Sequence, residues 1–188
     1  MDKIYKSFDT IMEMLEDRGM QVQRLTADQI KTFLQQQANK VGFEIMVDDI
    51  RLVYYLTHKF KWSELKKMFE DEPAQKPRLT ILIVIDKITQ NNLKQLQELK
   101  IDLQIFLVHE LQFNISKHVL VPKHELISDP QEKKRIMEMY SLKSTHQLPI
   151  ILRHDPMARW LNLKSGDVVR ITRPSQTSGQ YVSYRCCV

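Results

Sequence analysis

Glycine, cysteine and long apolar runs are all scarce in this chain of 188 residues. Only 4 Gly and 7 Pro place it outside collagen-like and low-complexity compositions. The longest apolar run, Leu79 to Ile85, is far short of the roughly 20 residues that span a bilayer as a helix. Met1-Asp2-Lys3-Ile4 has no apolar signal core, so export is not expected, and the Asn114-Ile115-Ser116 sequon carries no weight. Cys186 and Cys187 are the only cysteines. Sequence neighbours do not fit unstrained disulfide geometry, so both read as reduced thiols in a reducing compartment. No glycine loop is present to cradle a phosphate. His109, His118, His124, His146 and His154 do not combine with the cysteines at the short spacing of a zinc site. No metal and no cofactor is therefore expected.

What is present is 43% apolar side chain, enough for one large core or two small ones. The net charge of +5 is unevenly placed. From Leu148 to Val188, Arg153, Arg159, Lys164, Arg170, Arg173 and Arg185 are opposed only by Asp155 and Asp167. A basic segment of this kind suits nucleic acid, or an acidic protein surface inside an assembly.

Ile4, Phe8, Ile11, Met12 and Leu15 recur at helical spacing, with Gly19 placed to end that helix. Thr26-Ala27-Asp28-Gln29 reads as a capping box before a second helix bearing Ile30, Phe33 and Leu34. Phe43–Val47 and Ile50–Thr57 read as strands around an Asp48-Asp49 turn. Ser63 is placed to cap a short helix through Met68 and Phe69. After the polar connection Asp71–Pro77, Leu79–Ile85 reads as a strand buried on both faces. Thr89 then caps a helix with Leu93, Leu96 and Leu99, and Ile101–Val108 is a further buried strand. The strand–helix–strand order implies parallel pairing through a right-handed crossover. Residues 1–109 thus form an α/β domain. Residues 110–188 are α+β. Asp129-Pro130 starts a helix to about Tyr140, Asp155-Pro156 starts a short one with Met157 and Trp160, and Val168–Thr172 and Gln180–Arg185 are strands.

Catalytic candidates are few. A nuclease would need carboxylates around a divalent metal and a lysine near the attacking water. Asp86-Lys87 and Asp48-Asp49 are the available groups. Adjacent residues on a strand point to opposite faces, so Asp86 and Lys87 cannot both face one metal there.

The last third carries a continuous pattern. It runs through Leu148-Pro149, Asp155-Pro156, Arg159, Gly166, Val168-Val169, Ile171, Arg173-Pro174-Ser175, Thr177, Gly179, Tyr181 and Tyr184-Arg185. Upstream lies His118-x-Leu120-Val121-Pro122-x-His124. Together these resemble, over residues 113–188, the C-terminal assembly domain of the fifth-largest subunit shared by eukaryotic nuclear RNA polymerases I, II and III, a domain with an archaeal counterpart. The first half resembles that family's jaw domain through Thr10-Ile11-Met12, Asp17-Arg18-Gly19, the strand Leu79–Ile85 and Thr89. The family has Thr-Pro-Ser-Ala where this chain has Thr89-Gln90-Asn91-Asn92, and Asn162 stands where the family usually has Gly. Asn tolerates the left-handed backbone region best after Gly, so the turn there should persist.

The resemblance implies an α/β N-terminal jaw domain (1–109) plus an α+β C-terminal assembly domain (110–188). It implies a non-catalytic common subunit of DNA-directed RNA polymerase in the nucleus, or in a viral factory or virion if the source is viral. Its partners would be the largest subunit, other polymerase subunits and downstream duplex DNA, with no membrane and no homo-oligomer. Arg159, Arg173, Tyr184 and Arg185 are the candidate docking residues, and Thr89 and Asn91 the candidate DNA-proximal ones. The residues themselves support this reading: Arg159, Arg173 and Arg185 are fork donors for carboxylates or carbonyls. A stand-alone DNA-binding module and a nuclease-like α/β protein are the alternatives.

Overall fold

In a computed structural model, which describes residues 2–22, 29, 32, 41–58, 60–70, 77–99 and 101–188, the chain divides into two units, Met1–Phe113 and Asn114–Val188. The side chains of Glu70 and Gln97 are not described, and the expected helix of Ile30, Phe33 and Leu34 lies outside the described residues. The fold is mixed α/β, with a four-stranded sheet in each unit.

The first unit starts with α1 (Asp2–Asp17), which buries Phe8, Ile11, Met12 and Leu15 of its expected stripe. It ends as Gly19 predicts. Gly19 sits at φ 81; its N–H meets the Glu16 carbonyl at 2.8 Å, and the Met20 N–H meets that of Leu15 at 3.1 Å. This double closure supplies backbone donors to carbonyls of the last helical turn. β1 (Gly42–Val47) and β2 (Ile50–Tyr55) form the expected hairpin, with Asp48 at φ 51 in its turn. Gly42 needs to be glycine: a Cβ there would lie 2.1 Å from the Tyr54 carbonyl oxygen.

α2 (Trp62–Glu70), β3 (Leu79–Val84), α3 (Gln90–Glu98) and β4 (Leu103–Leu107) complete the unit. The strand order is β1-β2-β3-β4, with β2, β3 and β4 parallel. β3 is buried throughout, as its unbroken apolar run requires. Val53, Tyr55, Leu82 and Val84 pack with Leu65 of α2 and Leu96 of α3. On the other face the Tyr54 hydroxyl lies 3.3 Å from Ser7 of α1, and the Tyr54 ring stacks on Phe43.

Two expectations are corrected. Ser63 lies inside the first turn of α2 and does not precede it. Lys61 holds the cap position, its carbonyl accepting the Leu65 N–H at 3.2 Å; its own N–H donates to the Tyr55 hydroxyl at 3.0 Å, which donates to Glu64 at 3.2 Å. β4 is half-buried except for Phe106, because it is the sheet edge and is flanked on one side only.

The second unit opens with a 3₁₀ turn, Ile115–Lys117, capped by Asn114. β5 (Lys123–Ile127), α4 (Pro130–Met139), β6 (Ile150–Ile151), α5 (Pro156–Trp160), β7 (Val168–Ser175) and β8 (Gly179–Cys187) follow. The sheet order is β5-β7-β8-β6. Asp129 and Asp155 cap α4 and α5 through their carboxylates, each with Pro in the first turn. Asn162 takes the left-handed conformation at φ 53. The two cysteines are free and buried, and they enter different cores. Cys187 packs with Ile151, Ala158, Leu163, Val169 and Ile171 under α5; Cys186 packs with Ile127, Ile136, Leu148 and Val168 under α4. Alternation along β8 thus points the two thiols to opposite faces.

Candidate docking and DNA-proximal surfaces

The period of two along β7 and β8 sorts the basic residues of the second unit. Val168, Arg170 and Thr172 face α4, as do Val182, Tyr184 and Cys186 opposite them. Val169, Ile171 and Arg173 face α5, as do Tyr181, Ser183 and Arg185. On the α4 face the charge is matched within the unit: Arg170 binds Glu132 and lies 3.8 Å from Glu125. On the α5 face, among the described residues, no carboxylate forms an ion pair with Arg173 or Arg185. Arg173 is exposed beside exposed Tyr181, its cross-strand partner. Arg185 spends one N–H on the Ile150 carbonyl at 3.0 Å.

His124 of β5 sits on this same face, paired in register with Ile171. Its Nδ1 donates to the Pro122 carbonyl at 2.7 Å. Burial holds the imidazole below its ordinary 6.5; the Pro122 carbonyl and Asp155 oppose that shift, and Arg173 and Arg185 reinforce it. The two arginines are therefore electrostatic neighbours of one histidine. Leu126, two residues on, adds an exposed apolar side chain to the face. Just before β5, Val119 and Leu120 are 97% and 85% exposed. Large apolar groups so open to water are uncommon outside contact surfaces when they cluster.

The four expected docking residues thus divide. Arg173 and Arg185 share the α5 face. Arg159 lies on α5 itself, half-buried and engaged within the protein. Tyr184 is on the opposite face, where its ring meets Tyr140 edge-on at 6.0 Å. Sequence reasoning passed over Tyr181 and Leu126 as site residues. Counting back four residues from Arg185 along a strand would have found Tyr181.

In the first unit, Thr89 and Asn91 are exposed at the start of α3, beyond the carboxyl end of β3. The Thr89 carbonyl accepts the Leu93 N–H at 3.0 Å, the cap position expected for it. Asp86 lies nearby, 3.3 Å from His58 Nδ1. Asp48 and Asp49 precede β2, at the other end of the parallel strands from Asp86. Six strand residues separate the two ends, about 20 Å at ~3.3 Å per residue. These carboxylates cannot share a metal. Among the described residues no group of three or more His, Cys, Asp or Glu is placed to hold one, and no helix is long and apolar enough to cross a membrane.

Comparison with known proteins bears on both units. A model of the family "RNA polymerase Rpb5, C-terminal domain" matches residues 113–187, nearly the whole second unit. The chain is 33% identical to "DNA-directed RNA polymerases I, II, and III subunit rpabc1" of Dictyostelium discoideum, over 95% of this chain and 94% of that protein. It is 29% identical to subunit RPABC1 of the same polymerases from Caenorhabditis elegans, over 99% of this chain and 96% of the relative. A third relative, "DNA-directed RNA polymerases IV and V subunit 5B" of Arabidopsis thaliana, is also 29% identical, with 98% and 89% covered.

Proposed function

We propose a non-catalytic role in transcription for this chain, which belongs to the RNA polymerase Rpb5 family. It is a subunit of DNA-directed RNA polymerase and assembles with other subunits of that enzyme, in the nucleus where those polymerases work. The observation that carries this is the 33% identity running through both units, over 95% of the chain. The chemistry of RNA synthesis belongs to other subunits; Asp86 and the Asp48-Asp49 pair stand too far apart to form a metal centre here.

Within that role we assign the second unit to assembly. Its α5 face joins exposed apolar groups, Leu126 and Tyr181, to two arginines without carboxylate partners among the described residues. This surface suits a partner that is apolar and acidic, and the largest polymerase subunit is the partner we assign to it. The first unit is the jaw, lying by downstream duplex DNA. Thr89 and Asn91 would hydrogen-bond a phosphate there, which positions the duplex and reads no bases. The docking is one copy per enzyme, without self-association.

Purification of the polymerase through a tag on this chain, followed by crosslinking, tests the assignment. The expected result is an RNA-synthesising assembly with crosslinks from Lys164, just after α5, to the largest subunit. Recovery of the chain alone, or magnesium-dependent DNA cleavage by it, would refute the role.

A further inference from the structure

The outer edge of β8 is mostly unpaired. β8 runs nine residues, Gly179–Cys187, but its outer neighbour β6 pairs with Cys186 and Cys187 only. The Cys186 N–H reaches the Pro149 carbonyl at 2.9 Å and the Val188 N–H that of Ile151 at 3.0 Å, whereas the Cys187 N–H turns the other way, to Asp167. Backbone groups on a strand alternate in direction, so Val182 and Tyr184 turn their N–H and C=O to the same side as Cys186. They point along the line of β6; the chain just before it, with Leu148 packed beside Tyr184 and Cys186, offers no hydrogen-bond partner, Pro149 having no N–H. Among the described residues no group takes them. Gln180 shares that side, but its N–H closes the hairpin turn on the Ser178 carbonyl at 2.8 Å.

An open edge with apolar side chains is a template for another strand. Here the flanking groups specify what that strand carries. On the α4 face, exposed Val182 and the Tyr140–Tyr184 ring pair offer apolar contact. On the α5 face stand Tyr181 and Arg185. From Val168 to Val188 the chain has three arginines and no Asp or Glu. Arg170 is already matched by Glu132 and Glu125; Arg173 and Arg185 are not. A second copy of the chain would bring like charges together along this edge, which disfavours self-pairing.

We infer that the outer edge of β8 is a strand-addition site. Its occupant is an extended segment of another polymerase subunit, paired to the main chain of Val182 and Tyr184, with apolar residues toward Tyr184 and a carboxylate toward Arg185. This rests on the assembly role assigned above. It adds the mode of docking and the chemistry of the docked segment.

Hydrogen exchange on the wild-type chain, free and within the assembled polymerase, tests it. Strand addition should slow exchange at the Val182 and Tyr184 amides by at least about a hundredfold on assembly, as main-chain pairing protects them. Ser183, already bonded to β7, serves as the internal reference. Normal incorporation with both amides unprotected overturns the inference and leaves the assembly role standing. No incorporation at all removes both. Protection that grows with the concentration of the free chain shows self-pairing and overturns it. Crosslinking of the protected edge to a segment without Asp or Glu overturns its chemical half. Val182→Pro removes one outward N–H and spares the β7 ladder, as proline on an edge strand does. Incorporation of that variant should fall about tenfold, the scale of one lost main-chain hydrogen bond; if it fails to fold, the exchange data on the wild type decide.

Discussion

The two sheets of this protein are built from similar material and treat their surfaces in opposite ways. In the first unit the central strands β2 and β3 are buried along their whole length, and a helix layer covers the Val53–Tyr55–Leu82–Val84 face. Its buried arginine is held internally: Arg51 binds Glu44 at 2.9 Å and the Met68 carbonyl, over the ring of Phe69. In the second unit the helices pack over the open end of the β7–β8 hairpin, against Val168, Val169, Ile171, Cys186 and Cys187. Ten of the fourteen large apolar side chains exposed among the described residues belong to the second unit. A sheet that finishes its own surface is a scaffold; one that leaves an apolar and basic half uncovered expects another molecule.

This contrast predicts where stability and assembly separate. Leu82→Ala, in the first core, should destabilise the chain by about 2–5 kcal/mol, since it deletes fully buried methyl groups and leaves a cavity. Denaturant unfolding measures it. A cost under about 1 kcal/mol would mean that the first core is loosely packed.

Arg51 and Arg173 make the sharper pair. Arg51→Ala should cost about 2–4 kcal/mol of stability, a buried pair's worth discounted because Glu44 is 40% exposed. Arg173→Ala should cost under about 1 kcal/mol in the isolated chain. In the polymerase, loss of a desolvated charge partner should weaken incorporation by about 2–5 kcal/mol, roughly 30-fold or more. Thermal unfolding and quantitative incorporation read the two effects. Equal behaviour of both arginines would erase the contrast.

Smaller effects follow at the start of α3 in the first unit. Thr89→Ala with Asn91→Ala should leave stability and assembly unchanged and weaken downstream-DNA engagement about threefold, the scale of one solvent-exposed hydrogen bond. Crosslinks that place Thr89 far from DNA in a transcribing complex would dismiss that contact. The smallest effect is a pH dependence. Because folding lowers the His124 pKa below its ordinary 6.5, chiefly by burial, the unfolded chain binds more protons near that pH. Stability contributed by neutral His124 is therefore complete above about 6.5 and is lost as pH falls toward the folded value. His124→Gln should flatten that slope between pH 7 and 5 in thermal unfolding.

Much of the fold was legible because local signals agreed with the tertiary outcome. The Gly19 and Asp155-Pro156 signals ended and started helices as capping chemistry requires, and the apolar run of Leu79–Ile85 marked the central strand. β5 was not legible. Lys123-His124-Glu125-Leu126-Ile127 is an edge strand after a proline, and three of its five side chains are polar. Its strand state comes from pairing with β7, which no local pattern announces. β4 was overread as buried because its apolar content resembles that of a central strand. Of the surfaces, the basic character of the last fifth was readable by counting. The split of Arg173 and Arg185 from Tyr184 needed strand register, and the exposure of Val119 and Leu120 needed the structure itself.

The mass of the intact polymerase, purified through this chain and measured without dissociation, tests the central claim most directly. The account predicts one copy of the chain alongside the large catalytic subunits, and no species containing the chain alone as an oligomer. Two copies per enzyme, or a homo-oligomer with no polymerase attached, would contradict it.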